Sequence, residues 1–596
     1  MREKVDMMTE NEIKASRPGN LAFEASRKKL FLELPALVVS GLLYACAFPP
    51  LNLSFVAWIA LIPLYFIVRG KRPLKSFLYG FVWGYAFSCA TYFWLREIEF
   101  FIPYGMAAVL AIFPALWCLL LPALRRYLFV PVEVQLKGYD EETEHIRTHK
   151  SGALRETYFV LVMACCWCVL EWVRTWLFTG FPWNLTAVTQ WKNPAIIQIC
   201  EFTGVYGVSF IIVFFNIALA LSVNTYLKPC NPEKYKRPIP LIIALVLIML
   251  SILTGSWSIS REIKNKDNII LQAGVIQGDI PQCRAPTPEQ ADYALEKYLR
   301  LTEDLLRSSK PEIVIWPETA VPVPYRSGCK QGAEYRRRLS DLVISSKTPF
   351  LIGTVDFGDQ PVMNRGEMEY PIHNSAMLID SDGHISRRYH KMHLVPFGEY
   401  TPLGRFYPAL IRYFGMGRSL TPGKHSTIFE LKPGVYGAVN ICFEDVFPEI
   451  SMKHAAAGAN LLIVLSNDAW YPKSSEPEQH LAHAVFRAVE NRRPILRAGN
   501  NSGTCVINSS GVIIDSISVK PDPKTKQDIP DPEKKTEGVR VFQVKVPENP
   551  GLTFYTRYGN IFIYLCIVIS ISGILFITLS WKDKKDRLLA MRGSER

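Results

Sequence analysis

Charge is what this 596-residue chain has least of: only 20% of its residues are Asp, Glu, Lys or Arg, against about 25% in ordinary soluble domains. With 49% hydrophobic residues and a mean hydropathy of +0.11, that scarcity excludes a purely soluble globule and points to a large membrane part. A paired cysteine framework of the zinc type is also lacking. The cluster Cys165, Cys166, Cys168 lies inside an apolar run and reads as packing. Histidine is sparse. His390 with His393, and His480 with His483, are spaced i, i+3 without a convincing third ligand, so no metal is expected. No Walker or Rossmann glycine fingerprint follows a strand-like run, which removes the support for a nucleotide, and no cofactor is expected.

The charge that remains carries direction. A net charge of +13 suggests nucleic acid until its placement is read: the basic residues stand in short runs beside apolar stretches, S-R-K-K at 26–29, R-G-K-R at 69–72, Y-K-R-P at 235–238 and K-D-K-K-D-R at 582–587. That is how a membrane protein orients itself, so the bilayer is the expected partner and nucleic acid is not. Seven apolar stretches, near 30–48, 53–69, 76–95, 105–124, 158–178, 207–226 and 239–258, precede residue 260, and an eighth runs from 559 to 581. Each has about the length that crosses a bilayer. The first lacks a small-residue cleavage motif and another span follows at once, so it reads as an anchor.

Basic loops alternate with nearly uncharged ones. Arg27, Lys28 and Lys29 precede the first span, and Arg69, Lys71, Arg72 and Lys75 follow the second. The loop after the first span, F-P-P-L-N-L-S, has no charge, and that after the fifth has only Lys192. Positive loops stay inside. The expected plan is therefore a cytoplasmic tail 1–29, a seven-span membrane domain 30–258, an outward-facing domain 266–550, an eighth span 559–581 and a basic cytoplasmic tail 582–596. Cys283 and Cys329 would then share an oxidising compartment, where a disulfide is permitted but not required.

Within 266–550 short apolar runs alternate with amphipathic segments of helical length. Strands are expected at 269–277, 312–318, 349–357, 374–380, 436–444, 460–468 and 503–511, and helices at 287–308, 333–346, 447–458 and 476–492. The alternation predicts a layered α/β domain with helix-covered sheets. The Pro- and charge-rich segment 519–538 reads as a solvated loop before a last strand.

Three residue types needed for thiol chemistry stand at expected strand ends: Glu318 after I-V-I-W-P, Lys391 in Y-H-K-M-H, and Cys442 after A-V-N-I. Singly, each has a bland reading as a solvated charge or a buried structural thiol. Adjacent parallel strands bring their C-terminal ends together, so the three are expected to converge. Thiolate is the reactive form and free cysteine titrates near ~8.5, so Lys391 is expected to lower that pKa and face a developing oxyanion, with Glu318 as the proton acceptor. The backbone N–H of Phe443 is the expected second oxyanion donor. Arg487 and Glu490, at helical spacing, read as a structural ion pair.

The combination W-P-E at 316–318, Y-H-K-M-H-L-V-P-F-G-E-Y at 389–400, N-I-C-F-E at 440–444 and S-N-D-A-W-Y at 466–471 resembles the nitrilase superfamily. With seven spans before the domain and one after, it looks like the branch of bacterial apolipoprotein N-acyltransferases. The resemblance implies an αββα sandwich with Glu318 as base, Lys391 beside the intermediate and Cys442 as acyl-carrying nucleophile. Glu399 would help position the triad, and Glu444 and Trp470 fall at positions associated with function. Tyr commonly follows the cysteine in the family, and here it is Phe443, so any role for that hydroxyl is in doubt. It further implies a membrane phospholipid as acyl donor, a diacylglyceryl apolipoprotein as acceptor, and a multi-pass protein of the bacterial inner membrane whose catalytic domain is periplasmic. A monomer is expected.

The stretch 401–423 is rich in aromatic and aliphatic residues, Phe406, Tyr407, Tyr413 and Phe414 among them, with Arg405, Arg412 and Arg418 interspersed. It reads either as an amphipathic helix packed on the domain or as an interfacial arm that admits acyl chains, faced by Trp470 and Tyr471. Two rival readings stand beside acyl transfer: a membrane-tethered amidase or nitrilase acting on a small C–N substrate, and a non-catalytic scaffold on a dead nitrilase domain.

Overall fold

A computed structural model describes residues 18–129, 152–226, 238–264, 267–282, 286–326, 328–364, 367–402, 419–471, 473–521 and 528–593. The chain divides into two compact units, one of Met1–Leu170, Ile212–Ala244 and Ile567–Arg596, the other of Glu171–Ile211 and Leu245–Cys566.

Five helices among the described residues are long and apolar enough to cross a membrane by length and composition: Ile102–Phe129, Ala153–Arg174, Tyr206–Asn224, Ile239–Glu262 and Ile561–Arg587. The other three expected spans depart from that pattern. The first is the end of a longer helix, Pro18–Ala45, whose apolar part is Phe31–Ala45. The second is broken into a single turn, Ser54–Trp58, and an eight-residue helix, Leu61–Val68, which at ~1.5 Å per residue falls far short of a ~30 Å hydrocarbon layer. The third, Pro73–Thr91, dilutes its apolar residues with Lys75, Ser76, Gly80, Gly84 and Ser88.

Both irregularities have a physical account. Where the second stretch breaks, Asn216 accepts from Leu61 N–H at 3.0 Å and donates to the Ala57 carbonyl at 2.9 Å. Backbone groups freed by a break in apolar surroundings need such a partner. Gly80 and Gly84, four residues apart, let Pro73–Thr91 approach Ile102–Phe129 closely: a Cβ at Gly84 would lie 2.4 Å from Pro114 Cγ. Small residues at that spacing are how apolar helices come into contact.

Among the described residues of the second unit, twelve strands form two six-stranded sheets, beside two short two-stranded ribbons: β1 Asn268–Gln277, β2 Ile313–Ile315, β3 Phe350–Phe357, β4 Ile372–Ile379, β5 Ile385–His390, β6 Phe429–Lys432, β7 Val435–Ile441, β8 Leu461–Ser466, β9 Ile495–Gly499, β10 Cys505–Ile507, β11 Ile513–Ser516 and β12 Gly538–Pro547. One sheet runs β12-β1-β2-β3-β4-β5 and the other β11-β10-β9-β8-β7-β6. Each has a parallel centre, β1-β2-β3 and β7-β8-β9, with antiparallel strands outside it. Central parallel strands are covered on both faces, and their sequence shows it. In I-V-I of β2, Ile313 and Ile315 join the core between the sheets while Val314 packs outward.

The outer layer of the first sheet is Pro288–Ser308 and Lys330–Ser346. The former starts at a capping box of Thr287 and Gln290 with Pro288 in its first turn. Over the second sheet, Pro448–Ala456 packs on β7 and β8, and Glu476–Asn491 packs on that helix. The αββα layering agrees with the expected fold. Segment 519–538 departs from a plain solvated loop: Val519–Pro521 pairs with Asp528–Pro530, and Pro532 O and Asn501 O take N–H groups from Gly503 and Thr536.

Candidate active site

Glu318 lies just past β2, held by a close approach of β3. A Cβ at Gly353 would fall 2.2 Å from Pro317 O and 2.7 Å from Glu318 Cα. Lys391 follows β5, the edge strand of the same sheet, with its N–H bonded to Asn374 O of β4 at 2.8 Å. Cys442 ends β7 in the other sheet. The three converge, but not as neighbouring parallel strands: the expected route is corrected to two strand ends of one sheet facing a third across the sandwich.

The charged groups form one cluster. Lys391 Nζ is 3.0 Å from Glu399 Oε1 and 3.5 Å from Glu318 Oε1. Asn374 Nδ2 donates to both carboxylates at 2.8 Å, and Glu399 Oε2 accepts from Val395 N–H at 2.8 Å. Burial alone would depress Lys391, yet Glu399 and Glu318 outweigh it and hold the ammonium above the ordinary lysine range. Burial raises Glu318 above the usual carboxylate range, opposed by Lys391.

The half-buried Cys442 thiol lies within reach of both the Glu318 carboxylate and the Lys391 ammonium. Its pKa moves up, through burial and the Glu318 charge, with Lys391 pulling the other way. Lys391 does act in the expected direction, but burial and Glu318 outweigh it, so the net shift is upward. At rest burial and the Glu318 charge together favour the protonated thiol over the thiolate.

Cys442 itself has φ +51°, left-handed backbone that costs a non-glycine residue about 1–2 kcal/mol. Two anchors hold it. Glu444, two residues on, turns away from the sulfur: its Oε2 accepts from Ile441 N–H at 2.7 Å and its Oε1 from Met392 N–H at 2.6 Å, His393 N–H at 3.2 Å and Tyr389 O–H at 2.8 Å. Burial nevertheless lifts its pKa to about 7, against those hydrogen bonds. Glu444 therefore stitches the cysteine turn to the lysine loop. The second anchor is His480. Its Nε2 lies 2.8 Å from Asp445 Oδ1 and 3.2 Å from Cys442 O, and its Nδ1 2.8 Å from Asp468 Oδ1. Arg497 takes the remaining oxygens, Asp445 Oδ2 at 3.0 Å and Asp468 Oδ2 at 2.8 Å.

Cys442, Asp468 and His480 bring ligand-type atoms within 4.8 Å of one another. Their chemistry is that of a closed ion cluster, since both imidazole nitrogens and both aspartates are already committed to one another and to Arg497. His390 and His393 are likewise engaged, the former with Ser375 Oγ at 2.7 Å, the latter packed on Phe447 at 3.8 Å between ring centroids. Arg487 and Glu490 do form a buried ion pair, at 2.8 Å.

Phe443 joins an aromatic wall. Its ring stacks on Trp183 at 6.0 Å and 21° and meets Phe447 edge-on at 5.0 Å. Trp183 donates to Gln479 Oε1 at 2.9 Å. Trp470 is 43% exposed on the turn after β8, with Tyr471 half-buried beside it. Phe406, Tyr407, Tyr413 and Phe414 lie outside the described residues, as does Cys283. The C-terminal end of that arm is tied to the site: Leu420 N–H bonds Glu399 O at 2.8 Å and Gly423 N–H bonds Lys391 O at 2.7 Å. Sequence reasoning missed Asn374, Asp445, His480, Arg497 and Trp183. Only Trp183 left a local trace, as a tryptophan in the nearly uncharged loop after the fifth expected span.

Residues 40–218 match the family model described as apolipoprotein N-acyltransferase N-terminal domain, and residues 272–527 match carbon-nitrogen hydrolase. An apolipoprotein N-acyltransferase of Geobacter metallireducens is 29% identical over 89% of this chain and 92% of its own length. Apolipoprotein N-acyltransferase 1 of Treponema denticola is 29% identical over 92% and 97%, and the Haemophilus influenzae protein of that name is 26% identical over 82% and 86%. Together the membrane-part match, the hydrolase match and the near full-length relatives identify the lineage: the chain belongs to the apolipoprotein N-acyltransferase family, within the carbon-nitrogen hydrolase superfamily.

Proposed function

We propose that the chain is a phospholipid-dependent N-acyltransferase working through a thioester on Cys442. The observation that carries this reading is the convergence on the half-buried Cys442 of the Glu318 carboxylate and the Lys391 ammonium, which lies 3.5 Å from that carboxylate. In the first half-reaction Glu318 takes the Sγ proton as sulfur attacks the sn-1 ester carbonyl of a phospholipid. The Phe443 N–H and Lys391 Nζ receive the developing oxyanion. Collapse breaks the bond to the glycerol oxygen, which takes the proton from Glu318 and leaves as lysophospholipid.

In the second half-reaction the α-amine of an S-diacylglyceryl-cysteine attacks the thioester. Glu318 accepts the amine proton and returns it to the departing sulfur, leaving an amide and the free thiol. No step needs ATP, because amine attack on a thioester runs downhill. Glu399 and Asn374 keep Lys391 and Glu318 in register, and the arm 401–423 with Trp470 and Tyr471 admits the acyl chains.

The plan that suits these substrates is the eight-span one: tail 1–29 and tail 582–596 in the cytoplasm, spans within 30–258 and 559–581, and domain 266–550 in the periplasm. The alternation of basic and uncharged loops supports it. The shorter apolar helices Phe31–Ala45 and Ser54–Val68 then lie tilted or paired within the bundle. Intact-mass spectrometry of the protein incubated with phospholipid tests the mechanism. An acyl adduct is expected on wild type and absent from Cys442→Ala; no adduct on wild type, or the same adduct on the variant, sinks it.

A further inference from the structure

Outside the triad, the most heavily built feature of the second unit is the cluster of Asp445, Asp468, His480 and Arg497. All four side chains are essentially buried, and all four carboxylate oxygens are paired with a nitrogen of His480 or Arg497. Burying two carboxylates and two cations is no efficient way to stabilise a fold, since apolar residues of equal volume do as well or better. One contact of the cluster leaves it. His480 Nε2, besides Asp445, reaches the main-chain carbonyl of Cys442 at 3.2 Å.

That carbonyl belongs to the peptide group joining Cys442 to Phe443. A trans peptide is planar, and its C=O and N–H point to opposite sides. Whatever fixes the Cys442 carbonyl therefore fixes the direction of the Phe443 N–H, the group assigned above to the oxyanion. A strained φ of +51° at Cys442 makes such a restraint necessary, because the relaxed backbone would rotate this peptide plane away. A cationic donor on the carbonyl also polarises the peptide and strengthens the N–H as a donor.

We infer that His480 is a positioning residue for the reaction: its Nε2–H holds the Cys442 carbonyl and thereby aims the Phe443 N–H at the oxyanion. This role rests on the thioester reading above. The protonation it needs is supplied by the surroundings. Burial disfavours the imidazolium, but Asp445 and Asp468 outweigh burial and the opposing Arg497 and lift His480 to about 10, so both nitrogens carry hydrogen at neutral pH. Glu476, whose Oε1 is 3.7 Å from Nδ1, is pushed well above the carboxylate range by burial and by Asp468 and adds little charge.

Two variants separate aiming from folding. The amide of His480→Gln reaches the Nε2 position and keeps a donor for Cys442 O; that of His480→Asn reaches the Nδ1 position and keeps only the Asp468 side. Both remove the same positive charge, so their melting temperatures in detergent should match. Two rates are measured on the full-length protein: acylation of Cys442 by phospholipid, and its alkylation by iodoacetamide, a displacement that forms no oxyanion. Acylation is expected to fall roughly 100-fold in His480→Asn, within the range for a lost oxyanion donor, and less than about 5-fold in His480→Gln, with alkylation nearly unchanged in both. Equal losses in the two variants, alkylation falling in step with acylation, or failure of both to fold each overturn the assignment. A wild-type protein that alkylates normally but never acylates fails the thioester reading instead, and this inference with it.

Discussion

Two charged clusters flank the same sulfur and are built on opposite plans. On one side Glu318 and Glu399 share a single ammonium, Lys391, and the shared donor Asn374. On the other, Asp445 and Asp468 face two cations, His480 and Arg497, with every carboxylate oxygen paired. The first is short of positive charge and carries a proton on its thiol neighbour. The second is neutral and closed. A proton has somewhere to go only in the first.

The largest effect expected from this contrast is on the open side. Glu318→Gln keeps the shape and a partner for Asn374 but removes the proton acceptor. Acylation of Cys442 should fall at least ~10³-fold, within the usual contribution of general-base catalysis and its coupled steps, with the melting temperature unmoved or raised because a desolvated carboxylate is gone. Single-turnover acylation and a thermal melt check both halves. Lost stability with retained acylation would erase the distinction between the clusters.

Arg497→Met is the mirror experiment. It strips the closed cluster of one cation and strands Asp445 and Asp468 against His480 alone, a change that costs about 3–5 kcal/mol when one partner of a buried pair is deleted. A large drop in melting temperature and folded yield is expected, read by intrinsic fluorescence in detergent. Any surviving folded fraction should still alkylate at Cys442.

Asn374→Leu comes next. Without the shared donor, Glu318 and Glu399 repel each other with only Lys391 between them, and the Glu318 pKa, already raised by burial, rises further. The proposed acylation needs Glu318 ionised, so its acid limb should move to higher pH, by one pH unit for each ~1.4 kcal/mol of added cost to the carboxylate. An unmoved acid limb would mean that Asn374 has no hold on the base.

The two clusters also differ in how much of them the sequence discloses. Glu318 and Cys442 each follow a run of strand-forming residues, and strand ends are where a sheet presents its side chains, so the chain itself marks them; Lys391 follows no such run and is marked only by the motif around it. The closed cluster leaves no such mark. His480 stands 12 residues from Asp468 and 35 from Asp445, on a helix whose i, i+3 partner, His483, faces other groups. Spacing along a helix invites a ligand-pair reading, while the actual partners arrive through tertiary packing. The fold divides in the same way. β1, β3 and β8 are near-continuous apolar runs and are legible. β5, I-S-R-R-Y-H, is an edge strand with Arg387 exposed and Arg388 half-buried and does not look like a strand until β4 pairs with it. The membrane helices illustrate the converse: uniform hydropathy at 53–69 conceals a break that only Asn216, more than 150 residues away, makes tolerable.

A last expected effect concerns pH. His480 titrates near 6.5 when unfolded and at about 10 in the fold, where Asp445 and Asp468 overcome the burial penalty. A raised folded pKa means stability fully present below about 6.5 and lost progressively as pH rises toward 10, because between those values only the native state holds the proton. The slope for one proton is about 1.4 kcal/mol per pH unit. Lysines and tyrosines titrate at the upper end of this window too, so the informative quantity is the difference between wild type and His480→Gln, which share every other group. Wild type should lose stability relative to the variant steadily from pH 7 to 9 at close to that slope, followed by thermal or denaturant unfolding in one detergent at constant ionic strength. Parallel curves would mean that His480 is neutral in the fold. Nε2 could then still donate to the Cys442 carbonyl, but Nδ1 would have to accept from Arg497 and give up its bond to Asp468, and the cluster would no longer be charge-balanced.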